Sequence, residues 1–271
     1  MTVQIENVTA GYGKVTILKD ISIKIPSGQI CALLGPNGSG KTTLMRCINA
    51  LLKPCHGQIL IAGQNIAQMS RSRIARAVGV VPQSSQTAFP FSVIEMVLMG
   101  GVSRFKTWSA PGAQDKRKAR LVCAEAGIGH LADKSYHELS GGQQQLVMLA
   151  RALFQETPVL LLDEPTSHLD FYNQHKMMNL VRDTIKRKNA TALITLHDPN
   201  LVMSYCDSAA LLKEGRLIAS GPVKTVLTDT NLQTAFGDNI QIDITSRGMY
   251  VVVPKQPDYR PAKEPTACAE L

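Results

Sequence analysis

The stretch ALLGPNGSGKTTLMR (32–46) decides the fold class of this chain. A short apolar run leads into a glycine-rich loop, and the loop ends in Gly-Lys-Thr before a helical pattern. Residues 35–42 match G-x-x-x-x-G-K-[ST] in the strand–loop–helix context that this motif requires. Glycines let backbone N–H groups turn toward phosphate oxygens, and the helix N-terminus adds positive potential. The sequence therefore predicts an α/β core that binds a nucleotide.

The loop side chains have predictable roles. Lys41 is expected to place its ammonium on the β and γ phosphates, and Thr42 to offer its hydroxyl to Mg²⁺. The nucleotide-binding residues predicted in this stretch are Gly35, Pro36, Asn37, Gly38, Ser39, Gly40, Lys41, Thr42 and Thr43.

Bulk composition limits the class of protein. The chain has 271 residues, 44% of them hydrophobic and 18% charged, which fits a packed core. No apolar run approaches the roughly 20 residues that span a bilayer, and MTVQIENVTA (1–10) is not a signal-peptide pattern. We therefore expect a cytosolic location or a position on a cytosolic face.

The net charge of +8 is compatible with a nucleotide, a nucleic acid or a lipid surface as the binding partner, and it does not distinguish among the three. The six cysteines form no C-x-x-C pair and are expected to be reduced thiols.

Buried-strand patterns flank a helical region. The apolar runs ICALLG, VLLLLDEP and ALITLH are typical of parallel strands buried on both faces. We predict a catalytic core at 1–90 and 155–254, with a helical subdomain at 91–154 inserted into it. The Pro-rich and charged tail at 255–271 is predicted to be disordered.

A second signal is the acidic pair that ends VLLLLDEP. Asp163 is placed to hold hydrated Mg²⁺ beside the loop. Glu164 follows at the carboxyl end of the strand, where ligands bind in open α/β sheets, and can deprotonate the attacking water. The alternative interpretation is an acidic pair that only caps a helix.

The third signal is LSGGQQQ (139–145), which opens a strongly amphipathic helix. Ser140, Gly141 and Gly142 would form a second anion-binding helix N-terminus. As an alternative, Ser-Gly-Gly is an ordinary turn and helix cap.

Together these motifs resemble the ATP-binding cassette of ABC transporters. In that family two chains sandwich two ATP molecules, and the LSGGQ helix of one chain closes on the γ-phosphate held by the other. The resemblance implies a P-loop NTPase core, a RecA-like mixed sheet with an antiparallel edge subdomain, plus an inserted helical subdomain. It implies that Ser140, Gly141, Gly142 and Gln143 contact nucleotide.

Further family motifs can be placed one residue at a time. Tyr12 in AGYG resembles the aromatic residue that stacks on adenine, and Gln83 in VVPQ resembles the glutamine that contacts Mg²⁺ and responds to the membrane partner. Asp170 in SHLD resembles the loop residue at the dimer interface. His197 resembles the histidine that contacts the γ-phosphate. Taken alone, Tyr12 and His197 could instead be a turn aromatic and a strand-end histidine.

The resemblance narrows to importer ATPases for iron–siderophore, haem or cobalamin, including a molybdate or tungstate branch. The segments that show this narrower resemblance are FSVIEMVLMG, SHLDFYNQ, HDPN and the C-terminal stretch from VLTDTNLQTAFG to GMYVVVP. The chain departs from that group at Gly100-Gly101, where Gly-Arg is usual, and in HDPN, where HDLN is commoner.

The expected function is ATP hydrolysis that drives uptake. The cofactors would be ATP and Mg²⁺, with Glu164, His197 and Gln83 catalytic and Thr42, Gln83 and Asp163 around the metal. The expected partners are a second copy, two integral-membrane permease subunits and, indirectly, a periplasmic or extracellular substrate-binding protein. The chain would lie peripherally on the cytoplasmic face of the inner membrane.

Two alternatives remain open. One is a soluble single-cassette ATPase of the iron–sulfur cluster assembly type. The other is a P-loop protein acting on nucleic acid, which the charge suggests; we expect no nucleic acid, because KRK (116–118) lies on a short helical face without interleaved aromatics.

Overall fold

The computed structural model describes residues 2–83, 89–104, 110–167 and 169–255. Its strands are β1 (Val3–Tyr12), β2 (Val15–Ile25), β3 (Ile30–Leu34), β4 (His56–Ile61), β5 (Gln64–Asn65), β6 (Val78–Val81), β7 (Val159–Leu162), β8 (Thr191–Thr195), β9 (Ser208–Lys213), β10 (Arg216–Pro222), β11 (Ile240–Ile244) and β12 (Tyr250–Pro254). Its helices are α1 (Lys41–Ile48), α2 (Arg71–Ala77), α3 (Val93–Leu98), α4 (Ala113–Glu125), α5 (Gly141–Gln155), α6 (Phe171–Lys188), α7 (Pro199–Tyr205), α8 (Val223–Val226) and α9 (Asp229–Phe236).

A six-stranded mixed sheet forms the centre, in the order β10-β9-β3-β8-β7-β6. Strands β9, β3, β8, β7 and β6 pair in parallel, and β10 joins antiparallel through a hairpin after β9. The strands β3, β7 and β8 are buried at every position, which confirms the interpretation of their continuous apolar runs. The predicted α/β class with a mixed sheet is therefore confirmed.

The N-terminal strands form a second sheet. Its order is β2-β1-β4-β5 and its pairs are antiparallel, so β1 is an inner strand. Successive residues of β3 point to opposite faces of the central sheet. Cys31 and Leu33 join a core with α1 and the antiparallel sheet, whereas Ala32 and Leu34 join a core with α3 to α7. The central sheet thus has a packed layer on each face.

The segment between β6 and β7 is helical. It contains α3, α4 and α5, and its described residues 91–104 and 110–154 contain no strand. Ser92 and Glu95 form a capping box at the start of α3. The division into core and helical subdomain stays a prediction, and all of the predicted disordered tail except Lys255 lies outside the described residues.

One of the two departures from the importer group, the proline of HDPN, has a local explanation. At Gly100, which matches the usual Gly-Arg pattern, a Cβ atom would lie 2.1 Å from the carbonyl oxygen of Arg151, so α5 packs directly on the backbone there; the departure itself is Gly101. Pro199 occupies the first turn of α7, where its missing N–H costs no hydrogen bond.

None of the helices in the described ranges combines the length and apolar composition needed to cross a membrane. The cysteines in those ranges, Cys31, Cys47, Cys55, Cys123 and Cys206, are free thiols, as expected.

Candidate functional site

The loop at residues 35–43, here called the phosphate loop, depends on glycine at three positions. Gly35, Gly38 and Gly40 have φ angles of +145°, +77° and +105°, which L side chains rarely adopt. A Cβ atom at Gly35 would also lie 2.1 Å from the carbonyl oxygen of Leu212. The loop is therefore pressed against the end of β9, and its backbone conformation is the one that can enclose an anion.

Lys41 begins α1 and is nearly buried, with 6% of its surface exposed. Its Nζ donates to the carbonyl oxygens of Gly35 at 2.8 Å and Pro36 at 3.0 Å. Burial lowers the pKa of this ammonium, while the nearby charges of Glu164 and Asp163 act to raise it. The ammonium thus lies inside the phosphate loop and within electrostatic reach of the acidic pair.

Glu164 sits at the centre of a hydrogen-bonded set just after β7. Its φ of +48° turns the chain sharply at the strand end. Its Oε2 accepts from Nε2 of Gln83 at 2.7 Å, and its Oε1 lies 2.7 Å from Nε2 of His197. The structure therefore brings together the three residues predicted to be catalytic, from the ends of β6, β7 and β8.

Thr195 is a site residue that sequence reasoning missed. Its Oγ1 accepts from the N–H of Glu164 at 2.6 Å and donates to Oδ1 of Asp163 at 2.9 Å. Leu162 pairs with Ile194 across β7 and β8, so the following residues of both strands lie side by side. One buried hydroxyl therefore fixes both members of the acidic pair. The only sequence signal was a threonine at the end of a buried strand.

The oxygen donors suit Mg²⁺ bound with nucleotide. Thr42 is exposed in the first turn of α1, and Asp163 presents a carboxylate fixed by Thr195. Within the part of the chain that the structure describes, no three His, Cys, Asp or Glu side chains cluster as a metal site. Mg²⁺ commonly takes one or two protein oxygens and completes its shell with phosphate and water. This sparse donor set fits that pattern.

Tyr12 ends β1 and leaves 43% of its surface exposed. Its hydroxyl accepts from Nη1 of Arg46 at 2.9 Å, and the guanidinium carbon lies 6.0 Å from the ring centroid. Arg46, one turn after the phosphate loop on α1, thus fixes the ring that was predicted to stack on adenine. Arg46 was not singled out from the sequence.

The LSGGQ segment opens α5. Ser140 caps the helix and accepts from the N–H of Gln143, whose side chain accepts from the Ser140 N–H at 3.1 Å. Ser140 and Gly141 are exposed, Gly142 is half-buried, and a Cβ atom at Gly141 would contact nothing within 4 Å. The helix start is therefore formed, open and accessible.

Asp170 caps α6 and is also exposed. Its Oδ1 accepts from the N–H of Asn173 at 2.8 Å, a bond that lowers the pKa of the carboxyl. Within the described residues, no hydrogen bond or ion pair joins Ser140 or Asp170 to the phosphate loop. One chain alone does not bring these two predicted residues to the nucleotide site. His168, the neighbour of Asp170 in SHLD, lies outside the described residues.

Comparison with protein families matches residues 18–167 to the model described as ABC transporter. The ferric enterobactin transport ATP-binding protein FepC of Escherichia coli is 34% identical over 92% of this chain and 92% of its own length. The hemin import ATP-binding protein HmuV of Gloeobacter violaceus is 39% identical over 82% of each chain.

Solved structures of ABC transporter proteins also superpose on this chain. A metal-chelate type ABC transporter in an inward-facing conformation superposes with a TM-score of 0.82 at 30% identity, covering 93% of this chain and 97% of that one. A dimeric ATP-binding cassette in a post-hydrolysis state, bound to ADP and phosphate, superposes with a TM-score of 0.73 at 27% identity over 82% and 98% of the two chains.

Proposed function

The chain belongs to the ABC transporter family of ATP-binding proteins, and from that premise we propose that it is the ATP-hydrolysing subunit of a metal-chelate importer. Its family couples ATP hydrolysis to transport. The observation that carries the proposal is the set formed by Gln83, Glu164 and His197. Two 2.7 Å contacts hold one carboxylate at the end of a buried strand, within electrostatic reach of Lys41.

Nucleotide binding begins at the phosphate loop. When ATP binds, the Lys41 ammonium exchanges its hydrogen bonds with the Gly35 and Pro36 carbonyl oxygens for contacts with the γ-phosphate. The N–H groups of the loop bind the remaining phosphate oxygens. Tyr12, held by Arg46, stacks on the adenine. Mg²⁺, when bound with the nucleotide, would be held by Thr42, Asp163 and Gln83 and would neutralise phosphate charge.

Hydrolysis follows from the position of Glu164. Its carboxylate takes a proton from a water molecule as that water attacks the γ-phosphorus, and the bond to the β-phosphate oxygen breaks. His197 holds the carboxylate on one side and orients the transferred phosphoryl group. Both groups are already positioned before nucleotide enters, which lowers the cost of alignment.

A second copy completes the site. Ser140, Gly141, Gly142 and Gln143 of that copy supply N–H groups and a hydroxyl to the γ-phosphate, and Asp170 lies at the boundary between copies. The open helix start at Ser140 supports this arrangement, because it leaves the anion-binding N–H groups accessible.

The permease would dock in a groove beside Gln83. The groove has a volume of about 390 Å³ and lies between the core and α5. Apolar residues from both sides form most of its wall, and its polar positions are Asn49, Arg71, Arg151 and Gln155. Its lining includes Leu51, Ile74, Val78, Val80, Pro82 and Met148. Because Pro82 adjoins Gln83, a segment bound there could sense the nucleotide site.

The substrate class rests on the relatives. FepC is named for ferric enterobactin transport and HmuV for hemin import. We assign this chain a substrate of the same class, an iron or other metal chelate. The chain would lie on the cytoplasmic face of a membrane and would work with two permease subunits and a separate substrate-binding protein. The molybdate or tungstate branch stays a prediction.

The test is capture of tagged chain from detergent-solubilised membranes, with a groove variant as comparison. Leu51 and Leu121 are similarly exposed, at 66% and 61%, but only Leu51 lines the groove. We expect wild type and Leu121→Asp to co-purify a polytopic permease, and Leu51→Asp to lose it.

Recovery of wild type only in the soluble fraction, with soluble partners, would contradict the importer proposal. That result would favour the iron–sulfur assembly ATPase instead. Equal retention of the permease by both leucine variants would contradict the groove assignment.

A further inference from the structure

The C-terminal hairpin, β11 and β12, is fastened to the segment that carries His197. Oδ1 of Asn200 accepts from the N–H of Val252 at 2.8 Å, and Nδ2 of Asn200 donates to the carbonyl oxygen of the same residue at 3.1 Å. One side-chain amide thereby satisfies both backbone groups of Val252. The bond to the Val252 N–H requires an acceptor, so it also fixes the orientation of the amide.

Asn200 lies three residues after His197, and little freedom separates them. Asp198 caps α7 by accepting from the N–H of Asn200 at 2.8 Å, and Pro199 fixes φ in the first turn. On the other side Leu196 is buried and continues from β8. The His197 segment is thus held at both ends, by β8 before it and by Asn200 after it.

The anchor on the hairpin is itself fixed. Val252 is 8% exposed and belongs to the core that α5, α6 and α7 share. On the opposite strand its pairing partner Ile242 donates to Oδ1 of Asp229 at 2.6 Å, which ties the hairpin to α9. An isolated two-stranded hairpin is only marginally stable in water, so these contacts hold it in place.

We propose that Asn200 is a positioning residue for the ATPase site, which holds His197 against Glu164 by clamping its segment to Val252. The inference rests on the proposed function, because His197 and Glu164 must act in hydrolysis for their alignment to matter. Nothing in this contact touches nucleotide. Its loss should therefore affect the rate of the reaction and leave the binding of ATP unchanged.

The experiment measures kcat and KM for ATP in the full chain carrying Asn200→Ala. We expect kcat to fall about tenfold and KM to stay within about twofold of wild type, because misplacing an aligned group slows chemistry more than it weakens binding. Asn200→Asp keeps the acceptor for the Val252 N–H and loses the donor. We expect its kcat to fall less, by about threefold. This variant replaces Asn200→Ala in the test if Asn200→Ala does not fold.

The matched control is Asp229→Ala. It loosens the same hairpin at Ile242, the pairing partner of Val252, and leaves the Asn200 clamp in place. We expect Asp229→Ala to lower the thermal midpoint of unfolding about as much as Asn200→Ala does, while its kcat remains within about twofold of wild type.

Three results would overturn the inference: an unchanged kcat in the Asn200 variants, a rise in KM alone, or an equal fall of kcat in Asp229→Ala. The last result would assign the effect to general loosening of the hairpin. Absence of ATP hydrolysis by the wild-type chain would contradict the proposed function and, with it, this inference.

Discussion

At the scale of single residues, the backbone at Glu164 explains how a strand end presents the carboxylate that we propose as the catalytic base. A non-glycine residue with a φ of +48° is in a sparsely populated conformation and persists only where surrounding contacts hold it. Thr195 supplies that contact by accepting from the Glu164 N–H at 2.6 Å. With this turn in place, the carboxylate contacts Gln83 and His197.

The hydroxyl of Thr195 is therefore expected to matter for rate. Thr195→Val leaves the Glu164 N–H without its acceptor and frees Asp163, so we expect kcat to fall roughly tenfold and the free energy of unfolding to fall by about 1–3 kcal/mol. Steady-state ATPase assays and urea unfolding measure the two effects.

Thr191→Val is the matched control, because its Oγ1 donates to the Pro26 carbonyl oxygen at 3.3 Å at the opposite end of β8. It should lower stability with little change in kcat. If both variants lowered kcat alike, the assignment of Thr195 to the site would be wrong.

The sequence predicted Lys41 and Glu164 because each lies within a motif whose spacing fixes its chemistry. Thr195 and Arg46 act through partners distant in sequence, just after β7 and at the end of β1 respectively. Finding them requires the pairing of β7 with β8 and the packing of α1 on β1. Neither is encoded in local periodicity.

At the scale of elements, periodicity predicted the continuous apolar strands and the amphipathic helix α5, and the structure confirms both. Periodicity did not predict that β1 lies between β2 and β4 in a second sheet, separate from the central one. Local alternation shows that a strand is half-buried, but its neighbours depend on long-range pairing. The end of α5 likewise depends on Glu156, which adopts a left-handed φ of +56° without a glycine.

Glu156 joins α4, α6 and the segment of Arg104 to the end of α5. Its carboxylate contacts Arg104 at 2.9 Å, Lys118 at 2.5 Å and Lys188 at 3.7 Å. Burial acts to raise the pKa of this carboxyl, but the hydrogen bond from Lys118 and the three positive charges outweigh it and hold the pKa below its ordinary value. The carboxylate thus links α4 and α6 to α5 in its charged form.

A lowered pKa makes this contribution dependent on pH. The stabilisation is complete above the carboxyl's ordinary pKa of about 4.3 and is lost as pH falls through the lower folded-state value. Because the group is partly exposed, we expect Glu156→Gln to cost about 1 kcal/mol at pH 7.

Urea unfolding of wild type and Glu156→Gln at pH 7 and below pH 4 tests this linkage. The difference between the two proteins should shrink in acid. A difference that stayed constant or grew as pH fell would contradict the assigned role of the cluster.

At the scale of the whole molecule, one chain holds an incomplete site. The phosphate loop and the Glu164 set are assembled within the chain, whereas Ser140 and Asp170 lie exposed at the starts of α5 and α6. The related cassette bound to ADP and phosphate is described as dimeric. We infer that the exposed helix starts serve a second copy of the chain.

The most direct test that two copies enclose ATP is the mass of the Glu164→Gln chain in solution with ATP and Mg²⁺, measured by light scattering during size exclusion. Removing the base should slow hydrolysis by about 10²–10⁴-fold and hold the ATP-bound state. We expect Glu164→Gln to have twice the mass of one chain with ATP and the mass of one chain without it, and Glu164→Gln that also carries Lys41→Ala to have the mass of one chain in both cases. A Glu164→Gln chain that binds ATP yet remains single, or that hydrolyses ATP at the wild-type rate, would contradict this prediction.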